Sequence, residues 1–253
     1  MAQISDRMAA WHEYFYPGTT VLKNKAGIMD AAALRTFEYE ASTIRLVELY
    51  ENPIPGRFDL DHLKAIHRHV FQDVYDWAGE LRSVDMVKGK TQFTDAGKLE
   101  TDAHRFAADL AAEKHLQGLD KPAFVERLAH HYATLNQLHP FREGNGRSTR
   151  EFIGQIARNA GYALDQNLID NEKGQFNAAA EKCCHGDTSS VREIFMRAIR
   201  PARSVAFEKL PESEAVKRHP ELQPVFDQLR VMYSAIKEKY PHHSGARTHY
   251  FKQ

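Results

Sequence analysis

The residues with the densest chemistry are consecutive: His139-Pro140-Phe141-Arg142-Glu143-Gly144-Asn145-Gly146-Arg147-Ser148-Thr149-Arg150. An imidazole that titrates near neutrality can take a proton from a hydroxyl, and His139 is the candidate base. A carboxylate oxygen is a hard ligand that can hold Mg²⁺ against phosphates, which points to Glu143. Arg147 and Arg150 are three apart, so on a helix they share a face and can grip successive phosphates. The run holds no G-x-x-x-x-G-K-[ST], so its phosphate grip is not a Walker A loop.

Such groups need elements to aim them. Pro140 disfavours the α region for His139, so the preceding helix is expected to end there. Gly144 and Gly146 let the backbone turn tightly and approach a ligand. Beyond them Phe152, Ile153, Ile156, Ala157 and Ala160 recur at helical spacing, so a new helix begins near Asn145 to Arg147. Its N–H groups and positive dipole end then open beside His139 and Glu143, forming an anion site.

The run fills every fixed position of His-Pro-Phe-x-[Asp/Glu]-Gly-Asn-Gly-Arg-x-x-Arg and so resembles the signature of Fic domains. The resemblance implies an enzyme that transfers AMP from ATP to a hydroxyl side chain of a target protein and releases pyrophosphate. By that resemblance His139 is the base and Glu143 binds the Mg²⁺ that bridges the α- and β-phosphates. The nucleotide-binding run is Gly144, Asn145, Gly146, Arg147, Ser148, Thr149 and Arg150, with Arg150 meeting the γ-phosphate. By the same resemblance Phe141 is expected to anchor the loop in the core. Such transfers are driven mainly by positioning and charge neutralisation. The implied fold is all-α, a Fic-type helical bundle with one short β-hairpin near the site.

Composition sets the outer bounds. The 253 residues are 42% hydrophobic and 27% charged, enough for a proper core. Lys plus Arg equals Asp plus Glu at 34 each, which disfavours a direct nucleic-acid partner. The only cysteines, Cys183 and Cys184, are adjacent, match no zinc pattern and suit a reducing compartment. No basic start precedes an apolar run, and no uncharged apolar stretch is long enough for a bilayer, so the expected setting is the cytoplasm, away from membranes.

Three segments are expected: an N-terminal arm at 1–29, a Fic domain at 30–203 and a helical extension at 204–253. The arm carries Trp11, Tyr14, Phe15 and the Tyr16-Pro17-Gly18 turn and packs back on the body. Asp30 caps a helix to about Glu51, and Asp59 caps the next. Trp77 reads as core, and Trp77-Ala78-Gly79 widens the Fic resemblance. Arg82 to Phe93 reads as a hairpin with its turn at Lys88-Gly89-Lys90-Thr91. In Fic domains this hairpin is the flap that pairs with an extended target segment, so Lys88, Gly89, Lys90, Thr91 and Phe93 are the docking candidates. Helices follow at 97–116, at Lys121 to Leu138, at Asp170 to Cys184 and at Ser189 to Arg200.

Many Fic proteins carry an inhibitory [Ser/Thr]-x-x-x-Glu-[Gly/Asn] motif. Thr36 to Glu40 is followed by Ala41 and Ser189 to Glu193 by Ile194, so neither completes it. The departure suggests the class whose inhibitor is a separate small antitoxin. By resemblance the targets are ATPase subunits of type II topoisomerases, gyrase or topoisomerase IV. The alternatives are a Fic-fold transferase using another nucleotide or a phosphocholine donor, or a non-catalytic interaction module.

Overall fold

A computed structural model describes residues 10–202 and Val231. The expected extension at 204–253, Val231 apart, and the first nine residues of the arm therefore lie outside the described residues. The described chain is mainly helical. Its helices are α1 (Ala31–Glu51), α2 (Leu60–Phe71), α3 (Leu99–Ala112), α4 (Lys121–Leu138), α5 (Asn145–Asn159), α6 (Gln166–Asn171), α7 (Lys173–Cys183) and α8 (Ser189–Ala198). Two compact units emerge, one from 10–52 and 69–78, the other from 53–68 and 79–202.

In the first unit the Asp30 carboxylate accepts from the Ala32 and Ala33 N–H groups and starts α1. Buried Arg45 makes a two-pronged bond to Asp73, 2.6 and 2.9 Å, and a third bond to Glu48. The arm returns through Lys25 N–H to the Val74 carbonyl, and Tyr14 meets the Trp77 ring edge-on.

The second unit holds the signature. Asp120 caps α4, with Pro122 in its first turn, and Phe124, Leu128 and Leu135 bury its inner face. On α5 the buried Phe152, Ile153, Ile156 and Ala157 form the stripe that pins it. Each large side chain so buried contributes about 1.5–3 kcal/mol.

Three local outcomes differ from simple periodicity. Helix α3 stops at Ala112, because Lys114, His115 and Leu116 all take positive φ, between 51° and 61°. Helix α8 ends at Ala198, where Ile199–Pro201 pairs antiparallel with Tyr162–Leu164 to form a second small sheet, separate from the hairpin Val87–Lys88 and Thr91–Gln92. The helical stretch before Cys184 is divided into α6 and α7. The helical bundle with its hairpin stands as expected. No helix among the described residues is long and apolar enough to cross a membrane.

Candidate active site

Helix α4 delivers the chain into the site. It ends at Leu138, and His139 takes the left-handed conformation at φ 44°, ψ 57°, so the chain turns sharply at the imidazole. One face of that ring lies on Phe93, with centroids 3.8 Å apart and planes 12° from parallel. Burial pushes His139 down to about 4, against the opposing pull of the Asn136 backbone and with smaller help from the Arg82 and Lys88 charges. At pH 7 the ring is neutral and able to accept a proton.

The loop from Phe141 to Gly144 is closed by Asn145. Its side-chain amide donates to the Phe141 carbonyl at 2.7 Å, and its oxygen accepts from the Phe141 N–H at 2.9 Å. Asn145 is thus a strut for the loop, and what it can offer a phosphate is its backbone N–H. Gly144 sits at φ 81°, where a side chain is strained. The first helical bond runs from Ser148 N–H to the Gly144 carbonyl, so the amides of Asn145 and Gly146 precede the ladder at the positive end of the dipole. A Cβ placed on Gly146 would meet nothing within 4 Å, so the flank of this turn is open.

Around that mouth stand three charged side chains. The Glu143 carboxylate is 45% exposed, accepts from Gly144 N–H at 2.9 Å and lies 3.8 Å from Arg147. Arg150 is paired with Asp170 of α6 at 2.5 Å. Asp170 is 58% exposed, and such surface pairs are worth about 0–1 kcal/mol, weak enough for a phosphate to replace. Ser148 and Thr149 are buried, and the Ser148 hydroxyl donates to the Gly144 carbonyl, so the Ser148 side chain serves the helix start.

The hairpin residues divide by exposure. Lys88, Gly89 and Lys90 are exposed around the turn, with Gly89 at φ 59°. Thr91 and Phe93 are buried, Thr91 with its hydroxyl 3.5 Å from His185 and Phe93 as the shelf under His139. These two face inward, where a docking partner does not reach their side chains.

Two buried groups were not foreseen. His67 accepts from Gly79 N–H at Nδ1, 2.8 Å, so its proton sits on Nε2 and is donated to the Glu143 carbonyl at 2.9 Å. Its ring stacks on Phe141 at 3.8 Å. Arg82 bonds the carbonyls of Leu138 and His139. Neither has a sequence signature, because its partners are mainly backbone groups.

His67 also fixes a pH response. Burial pushes it down to about 4, so the folded chain binds fewer protons than the unfolded chain between about pH 6.5 and 4. Stability contributed by the neutral ring is complete above the unfolded value and is lost as pH falls through this window. His139 acts in the same sense. Denaturant unfolding at pH 7 and pH 5 is expected to show a loss of about 2 kcal/mol from His67 alone, and equal stability at the two values would contradict the buried neutral ring.

The Fic/DOC family model matches residues 57–157, spanning the hairpin and the signature. The protein adenylyltransferase VbhT of Bartonella schoenbuchensis is 42% identical over 184 residues, which are 73% of this chain and 38% of that protein. The chain thus spans well under half of that relative's length. The "Probable protein adenylyltransferase Fic" of Salmonella typhimurium is 42% identical over 190 residues, 75% of this chain and 93% of that protein. Among solved structures, the BepC protein of Bartonella tribocorum with bound AMPPNP superposes with a TM-score of 0.71 at 27% identity, covering 76% of this chain and 98% of that one. With a relative this similar matched almost end to end, the chain belongs to the Fic/DOC family.

Proposed function

We propose that the chain is a protein adenylyltransferase that moves AMP from ATP to a hydroxyl side chain of another protein. The observation that carries this is a neutral, half-buried imidazole at the end of one helix, a few residues before the N-terminus of the next and its two arginines. His139 takes the proton of the target hydroxyl, whose oxygen then bonds to the α-phosphorus. The bond from that phosphorus to the bridging oxygen breaks, and pyrophosphate leaves. Backbone amides at the start of α5 and the Arg147 and Arg150 guanidiniums hold the phosphates. The named activities of the VbhT and Salmonella relatives and the AMPPNP bound to BepC support this reading.

The donor set also fits Mg²⁺. Among the described residues no group of three or more His, Cys, Asp or Glu gathers as an all-protein cage, whereas a magnesium held against phosphates needs only one or two carboxylates. Glu143, half-exposed at the loop mouth, would hold it. When bound, the ion neutralises charge on the α- and β-phosphates.

The hairpin supports docking by strand addition. Phe93 N–H donates to the Met86 carbonyl, so Val87 and Gln92 form the non-hydrogen-bonded pair and their backbone groups point outward. On the Thr91–Gln92 strand the outward Gln92 carbonyl is taken by the Gln137 side chain at 2.9 Å. The Val87–Lys88 edge is the side left for a target segment. Val87→Pro removes one outward N–H and spares the ladder. With ATP labelled on the α-phosphate and a bacterial lysate, it is expected to lower protein labelling about tenfold, the worth of one main-chain hydrogen bond, with ATP affinity unchanged. Label entering protein from the γ-phosphate instead would refute adenylyl transfer.

In our reading 30–203 is the catalytic domain, with 1–29 an arm and 204–253 an appendage. The chain works in the cytoplasm as the toxin of a toxin–antitoxin pair acting on the ATPase subunits of gyrase or topoisomerase IV. The separate-antitoxin part rests on the two incomplete inhibitory motifs, Thr36 to Glu40 and Ser189 to Glu193, and the target class on the family resemblance. Expression alone, compared with expression beside its neighbouring genes, is the check. A harmless, inactive chain on its own sinks the separate-inhibitor reading.

A further inference from the structure

Arg82 is 2% exposed and lies just before the hairpin. Its Nε donates to the His139 carbonyl at 2.8 Å, and Nη1 donates to the Val84 carbonyl at 2.6 Å. Nη2 donates to the Leu138 carbonyl at 3.3 Å and to the Thr94 carbonyl. The Arg82 backbone N–H donates to the Pro140 carbonyl at 2.9 Å. Val84 precedes the first hairpin strand and Thr94 follows the second, so one planar group grips both feet of the hairpin. The same group grips the carbonyls where α4 ends, which helix geometry leaves without intrahelical donors.

The arrangement closes a circuit. Thr94 is tied to Arg82 through its carbonyl and to Gln137 through its N–H, at 3.0 Å. Its neighbour Phe93 is thereby set beneath the imidazole, and His139 is itself bonded to Arg82 through its own carbonyl. A guanidinium has five N–H donors in a rigid fork, whereas a lysine ammonium is a point charge on a flexible stem and does not span these carbonyls together. We propose that Arg82 is a positioning residue that sets the distance and angle between the hairpin edge, where a target segment docks, and the His139 imidazole. It touches neither nucleotide nor target. This rests on the transferase reading of the same site.

The charged groups facing the imidazole are Arg82 and Lys88, both cationic. Two full-length variants separate geometry from charge: R82K keeps the charge and loses the fork, and R82M loses both. In each, kcat for AMP transfer to lysate proteins is expected to fall about 10- to 100-fold, the cost of a misplaced reacting group. KM for ATP stays within about twofold, since the phosphate grip is separate. The His139 Cε1 proton, followed by NMR, titrates at higher pH in R82M than in wild type and stays near the wild-type midpoint in R82K. R82M leaves carbonyls without a donor; if it does not fold, R82K decides alone. A folded R82K with kcat within about threefold of wild type overturns the proposal, as does a parallel rise in KM for ATP that accounts for the whole loss. A wild-type chain that transfers no AMP counts against the transferase reading only. In that event amide hydrogen exchange over 84–94 is the readout: faster exchange in R82K supports the positioning role, and unchanged exchange overturns it.

Discussion

His139→Ala is expected to cut AMP transfer by about 10²–10⁴-fold, the usual contribution of a positioned general base, while ATP affinity stays the same. The two effects separate because the base and the phosphate grip belong to different elements. His139 closes α4, whereas the amides and arginines open α5. The wild-type pH profile is a second expected result from the same group. Burial pushes His139 down to about 4, so kcat/KM is expected to stay level from pH 8 to pH 6 and decline only on more acidic approach. An acid limb centred near 6.5, or a variant retaining more than about a tenth of the rate, would remove His139 from the role of base.

Glu143→Gln carries the other large effect. The amide oxygen can still accept from Gly144 N–H, so the loop keeps its bond while the negative charge goes. Transfer is expected to fall about 10²–10³-fold, in the range found when one preorganised electrostatic contact at a transferring group is lost. ATP binding measured without magnesium should be unaffected or slightly improved, because the carboxylate beside Arg147 also opposes the triphosphate. A magnesium titration of transfer is the measurement. An identical half-saturation in variant and wild type would place the ion elsewhere.

Legibility in the sequence followed the kind of information each residue carries. Pro140 restricts the backbone and Gly144 frees it, both by covalent structure, so the end of α4 and the start of α5 could be read directly. The helical stripe Phe152, Ile153, Ile156 and Ala157 could be read for the same reason, because side-chain spacing repeats. Phe93 was harder. Its strand is too short for alternation to say which face is inside, and the turn next to it suggested exposure. Val191, Ile194, Phe195, Ala198 and Ile199 continue one helical period, so nothing local marks Ile199 as the residue that leaves the helix to pair with Leu164. Lys114 to Leu116 contains no glycine, so its left-handed turn is set by surroundings that the local pattern does not encode. Arg82 and His67 were invisible for a different reason. Their partners are main-chain carbonyls and amides, which every sequence supplies everywhere.

The Asn145 strut carries one more consequence. Because its amide is tied off on Phe141 at both ends, the ring of residues from 141 to 145 is already assembled before any nucleotide arrives. An incoming triphosphate then meets a finished socket and forfeits little of its binding energy to freezing loop motion. Recognition at this rim falls to peptide N–H groups and charged side chains, which sense where negative charge sits and are indifferent to the base attached far down the chain of phosphates. Choice among nucleotides must therefore be exercised by the part of the pocket that meets the base.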